Sequence, residues 1–272
     1  MGPLARAIFG TKTLVLSVCA AALAGGAISA CGTGSSAAGA AATSATADAK
    51  EEAPSFRLYL LSSVAGALEP CGCSKDQLGG AGHLAAFVDK EKASVKESLF
   101  LGAGPLFFQD PMLTDDNRAQ SEWKAEAIAD AVAKLSLTAW APGANEWAGG
   151  AALFGKLRDE SKASFLAANV KADGLGATKM TTVGGVKVAI IGVADPKWSG
   201  APVAGLEIGS PKDALKAEIE KARKDGARIV IGLAAIQRGE ALRLVDELPD
   251  LDVLSSASRA TRATSTTHRS PR

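Results

Sequence analysis

An α/β fold is predicted for this chain by three observations. Segments of helical period alternate with short apolar runs of strand length between residues 56 and 254. One unit, "SPKDALKAEIEKARKDGARIVIGLAA", carries a capped helix and a buried strand back to back. A two-glycine turn separates two apolar runs in "TTVGGVKVAIIGVADP", a hairpin signal. The 272 residues suffice for one domain or at most two small ones. With 30 basic against 29 acidic residues and a net charge of +1, no nucleic-acid partner is expected, because that needs a clustered basic excess.

The first residues stand outside the alternation. "MGPLARAIFGTK" carries Arg6 and Lys12 and no acid, and "TLVLSVCAAALAGGAISA" is an apolar run of secretory-signal length. It ends in "ISAC", which resembles the lipobox of bacterial lipoproteins. The resemblance implies removal of residues 1–30 and lipidation of Cys31 as the mature N-terminus. With Gly32 rather than Asp next, it also implies an outer-membrane anchor facing the periplasm. An uncleaved membrane anchor is the competing reading; the abrupt switch to "GTGSSAAGAAATSATADAKEEAPS" favours cleavage. Residues 31–55 bury too little apolar surface to order themselves and read as a flexible tether. Export places the domain in an oxidising compartment.

The folded part begins near Phe56. "FRLYLL" reads as a strand, and "SLFLGAGPLFF" as a second strand running into a Gly/Pro turn. In "SEWKAEAIADAVAKL" (residues 121–135), Trp123, Ala127, Ile128, Ala131 and Leu135 recur at helical spacing, with Ser121 as cap. "SLTAW" and "ASFLAANV" (residues 163–170) read as strands, and the two-glycine hairpin follows. In the long unit Ser210 caps, Pro211 suits the first helical position and Asp213 sits in the first turn. Leu215, Ile219 and Ala222 make its buried stripe, and Gly226 ends it. "ARIVIGL" is a strand of the kind buried on both faces. "RGEALRLVDEL" is a last helix and "LDVL" a last strand, before a disordered tail over residues 255–272.

Several stretches taken in order resemble the metallophosphoesterase family in its 5′-nucleotidase-like branch. "SSVAGALEPCGC" is similar to Asp-x-His-Gly-x-Leu-Glu-Pro, matching at Gly66, Leu68, Glu69 and Pro70, and Cys-Gly-Cys with a later Gly-Gly occurs in a lipoprotein subgroup. "LFLGAGPLFF" resembles Asp-x-Gly-Asp-x-Phe, and "GANEW" resembles Gly-Asn-His-Glu-Phe. The strand, hairpin and strand that follow are also similar. The resemblance covers residues 56–254 and implies a layered β-sandwich flanked by helices. It also implies further strands and a histidine motif after "DVL", so the sandwich is expected to be incomplete at its C-terminal end.

The family holds two metal ions through Asp, His and Asn side chains, which clamp a phosphate and generate a hydroxide. At the matching positions this chain has Ser63, Ala65, Gly102, Pro105, Ala144, Asn145 and Ala235. Histidine is limited to His83 and His268, and one body histidine cannot supply a site built from several imidazoles. His83 reads as a helix-surface residue, Glu69 and Glu146 as solvated or capping acids, and Trp140 and Trp147 as packing residues. Gly79, Gly80 and Gly82 spell no dinucleotide fingerprint, and no Ser-His-Asp set is available. Cys71 and Cys73 leave two readings open: a local disulfide or inert thiols, or a metal-binding or redox pair.

The expectation is an exported lipoprotein with a degenerate metallophosphoesterase-like domain, non-catalytic and used for binding or scaffolding. A metal-dependent phosphoester hydrolase with a rearranged site and a thiol role for Cys71 and Cys73 are the alternatives. No cofactor is expected, a divalent metal pair being required only by the hydrolase reading. The expected partners are a membrane, through the lipid anchor, and a protein or small molecule of unspecified kind.

Overall fold

Alternation of side chains along buried strands decides the architecture. The computed structural model describes residues 56–70, 72, 79–195 and 206–257, all within one compact unit, Pro54–Arg272. In chain order the elements are β1 (Arg57–Ser62), α1 (Gly80–Lys92), β2 (Ser98–Gly104), α2 (Asp115–Lys134) and β3 (Ala139–Pro142). A 3-10 turn (Ala144–Trp147), α3 (Ala151–Ser161), β4 (Ser164–Phe165), β5 (Val170–Lys171), β6 (Thr178–Val183) and β7 (Val186–Ala194) follow. The last are β8 (Glu207–Ile208), α4 (Pro211–Lys224), β9 (Ile229–Ala235), α5 (Arg238–Glu247) and β10 (Val253–Ser256).

One large sheet is parallel, in the order β1-β2-β3-β4, the other runs β10-β9-β7-β6 with only β6 antiparallel, and β5 and β8 form a separate two-stranded antiparallel pair. Successive strand residues point to opposite faces. Tyr59, Phe100, Trp140 and Phe165 therefore meet α1, α2 and α3, while Leu99, Leu101, Ala103 and Ala139 meet Val188, Ile190, Ile231 and Leu233 of the other sheet. Ala189, Ile191 and Val230 turn outward under α4 and α5. The result is a helix–sheet–sheet–helix sandwich, the layered α/β class read from the sequence. Among the described residues no helix is long and apolar enough to cross a membrane.

Local chemistry explains most boundaries. Ser210 Oγ accepts the Asp213 N–H at 3.3 Å, Leu215, Ile219 and Ala222 are the buried face of α4, and Gly226 takes φ 86° beyond its end. Gly184 and Gly185, at φ 55° and 73°, make the tight turn between β6 and β7 that L side chains disfavour.

Three expectations differ from the structure. α2 starts at Asp115 behind Thr114, whose N–H donates to Asn117 Oδ1 at 2.9 Å, so Ser121 lies inside the helix. Its buried face is Ala125, Ile128, Ala129 and Val132, and Trp123 is 73% exposed, because small alanines let the helix lie close on the sheet. The apolar run at residues 163–170 is not one continuous strand: it carries the short β4 and the start of β5, with a crossing between the sheets in the middle. Leu166 N–H bonds Trp140 O in the first sheet, and Ala168 N–H bonds Gly192 O in the second. Gly192 is required there, since a Cβ would lie 1.9 Å from Leu166 O. Finally, β10 reaches Ser256 and Ala257 is buried in the inter-sheet core, so the folded part extends past residue 254.

Candidate functional site

Parallel strands deliver their C-terminal ends to one edge of the sandwich, where open α/β sheets place their chemistry. Ser63 follows β1, Pro105 follows β2, Gly143 and Ala144 follow β3, Ala235 ends β9 and Ala257 follows β10. Backbone bonds knit this edge together. Ser63 N–H donates to Ala103 O (3.2 Å) and Ala65 N–H to Pro105 O (2.9 Å). Gly143 N–H and Trp140 Nε1–H both donate to Gly104 O, at 3.2 and 2.8 Å. Asp195 N–H donates to Ala235 O, and Ala257 N–H to Ala234 O, each at 3.1 Å.

The edge is also tightly filled. A Cβ on Gly104 would lie 2.6 Å from Ala257 Cβ and 3.1 Å from Ser63 Oγ. A Cβ on Gly143 would lie 2.9 Å from Pro105 N. Ser63 and Ala65 hold the left-handed conformation at φ 50° and 49°, unusual for residues with a Cβ.

Gly102 does not join this group. It lies inside β2, opposite Trp140 in the β2–β3 register, on the face that packs against the helices. A Cβ there would lie 2.1 Å from Trp140 Cζ3 and 2.7 Å from Leu61 O. The Trp140 ring, itself fully buried, occupies the space that any side chain at this position needs.

Asn145 and Glu146 form a clip. Asn145 Nδ2 donates to Phe108 O (3.1 Å) and Gln109 O (2.6 Å). Glu146 Oε1 accepts the Leu106 N–H at 2.6 Å and Oε2 the Phe107 N–H at 3.0 Å. Together they fasten the loop after β2 to the turn after β3. Burial pushes the Glu146 carboxyl up to about 8, against backbone hydrogen bonds from Phe107, Leu106 and Gly143 that pull it down. Glu146 is thus neither solvated nor a cap: it is fully buried and bonds backbone some forty residues earlier. The available signal was an acid set directly between Asn145 and Trp147 in an otherwise small and apolar turn.

The remaining candidates scatter. His83 is exposed on α1, Glu69 is exposed in the loop after β1, and Trp140 and Trp147 are core residues. Cys31, Cys71 and Cys73 lie outside the described residues, as do the signal-like segment and the tether.

No protein-family model matches the sequence. No curated protein matches it either. Solved structures do. NAD nucleotidase (NadN) of Haemophilus influenzae superposes with a TM-score of 0.62 at 19% identity, over 74% of this chain and 37% of that one. The 5′-nucleotidase precursor of Thermus thermophilus gives 0.56 at 21% identity, over 69% and 38%. The calcineurin-like phosphoesterase YfkN of Bacillus subtilis gives 0.58 at 16% identity, over 73% and 70%. The fold is that of the metallophosphoesterases. The chain spans less than half the length of the first two structures, and the likeness is one of fold.

A metallophosphoesterase metal pair would need several charged or imidazole donors at this strand edge. The described residues do not fit it. Ser63, Ala65, Pro105, Ala144 and Ala235 offer one hydroxyl, Asp195 after β7 adds one carboxylate, and Asn145 Nδ2 and both Glu146 carboxylate oxygens are engaged by backbone groups. Among the described residues no three His, Cys, Asp or Glu side chains cluster closely enough to hold a metal ion.

Proposed function

We propose that this is an exported, lipid-anchored protein whose metallophosphoesterase-like domain is non-catalytic and serves binding or scaffolding at the periplasmic face of a membrane. The observation that carries the non-catalytic part is the packing of Gly104 against Ser63 and Ala257, with Ala65, Pro105 and Ala144 beside it. Function resides in the site rather than the fold, and this edge keeps the fold's hydrogen bonds while offering, beside Asp195 after β7, mostly small and donor-free side chains. The buried clip of Asn145 and Glu146 supports the same reading, because it preserves the shape of the loops around an edge that has lost its ligand types. The anchor rests on "ISAC" and on the tether-like composition after it.

The test is metal analysis of purified protein, coupled to hydrolysis of bis(p-nitrophenyl) phosphate and of a nucleoside monophosphate with Mn²⁺, Zn²⁺ or Mg²⁺. The expected result is no stoichiometric metal and no turnover above buffer. Metal-dependent turnover abolished by a chelator would overturn the reading. For the anchor, Cys31→Ser is expected to abolish labelling by a fatty-acid analogue and to release the protein from membranes.

A further inference from the structure

A second place in the fold gathers charge, away from the strand ends. At the β4–β6 side, where the two sheets part, a cleft of about 540 Å³ opens to solvent. Three cations line it: Arg158 in the last turn of α3, Lys162 as the C-cap of α3, and Lys179 on β6. Asp159 is the one carboxylate in the lining, and Arg158 Nε and Nη2 already hold its Oδ1, at 2.9 and 2.8 Å. Glu218, outside the lining, accepts the Thr178 hydroxyl at 2.6 Å and lies 3.9 Å from Lys221. Among the described residues neither Lys162 nor Lys179 has a carboxylate within 4.0 Å.

The cations are placed rather than scattered. Lys179 is half-buried and its Nζ reaches across the seam to Ser164 Oγ at 2.9 Å, a neutral partner. Arg158 lies over Gly174, where a Cβ would come within 1.2 Å of Nη1, and Nη1 donates to Asp173 O at 3.3 Å. The negative end of α3 accounts for cations at Arg158 and Lys162. It does not account for Lys179, which comes from the other sheet and spends its charge on a hydroxyl.

We infer that this cleft binds a phosphate group. A guanidinium edge, two ammonium groups and the Ser164 hydroxyl supply donors for several phosphate oxygens at once, and three cations against one paired carboxylate leave the surplus charge that a dianion neutralises. The phosphate belongs either to a small soluble phosphate ester or to an exposed lipid headgroup. The inference is independent of the strand-end chemistry, so its failure leaves the non-catalytic reading standing.

Calorimetric titration of the full chain at low salt tests it, with inorganic pyrophosphate and glycerol 3-phosphate as soluble probes and phosphatidylglycerol vesicles in a parallel sedimentation assay. Saturable binding of a soluble probe is expected, weakened tenfold or more in Lys162→Gln/Lys179→Gln and unchanged in Lys134→Gln, whose lysine pairs with Asp130 on α2. Lys162→Gln alone, at an exposed position, serves if the double variant melts early, and it should still weaken binding severalfold. Vesicle binding alone, lost in the same variants, assigns the phosphate to a lipid headgroup. No binding in either assay, or binding that these substitutions leave unchanged, overturns the inference.

Discussion

Glu146 is the residue whose burial has the clearest consequence. Its carboxyl is held up to about 8 in the folded protein against an ordinary value of 4.5, chiefly because burial disfavours the charged form. Between those values the folded state binds more protons than the unfolded chain. The stabilisation tied to this proton is complete below 4.5 and is lost as pH rises through about 8. Glu146→Gln removes the titration. Subtracting variant from wild-type unfolding free energies across pH 4–9 should therefore give a difference that declines with rising pH, and a flat difference would refute the assignment. The substitution itself should cost about 1–3 kcal/mol, because its amide sets an N–H₂ against one of the two backbone donors. Ala65 makes a smaller case at the same scale. At φ 49° its methyl is strained, and Ala65→Gly should raise stability by about 0.5–1 kcal/mol in denaturant titration, relief of the left-handed strain exceeding the added chain entropy.

At the scale of elements, β2 and β3 are matched through Gly102 and Trp140. The ring fills the outer face of the sheet only because its partner has no side chain, and the indole also donates to Gly104 O. Gly102→Ala should therefore destabilise by about 2–3 kcal/mol, as overpacking does in a rigid core. In a Trp140→Leu background that cost should shrink, and additive costs would show that the two residues do not compete for space. The elements were unevenly legible in the sequence. α4 was readable because cap, proline, stripe and terminal glycine all agree. α2 was half legible: Ile128 and Leu135 are buried as its period implied, but Trp123 faces solvent, and Ala125, Ala129 and Val132 complete the buried face instead. The run at residues 163–170 reads as a strand by composition, and only its long-range bonds to Trp140 and Gly192 reveal a crossing between sheets.

For the whole molecule, the sandwich was legible in the sequence because periodicity is local, and so were the residue types that stand at its strand ends. Two other features were not: that Ala257 closes on Gly104, and that Gly102 sits under Trp140. Both depend on register between strands distant in sequence. The same long-range packing decides what holds the molecule together. Three apolar layers run through the sandwich, helix to sheet, sheet to sheet and sheet to helix, and the strand edge is closed by backbone bonds and small side chains. Among the described residues that edge coheres through backbone bonds and close packing, so on the non-catalytic reading unfolding should be indifferent to chelation. A resident ion present at a thousand times its dissociation constant would add about 4 kcal/mol. In a domain of this size that corresponds to roughly 8–16 °C in Tm. Thermal melts followed by circular dichroism with EDTA and with added Mn²⁺ should superimpose. A drop of that size on chelation would mean that the folded domain holds a metal ion, and would overturn the non-catalytic reading's expectation of none.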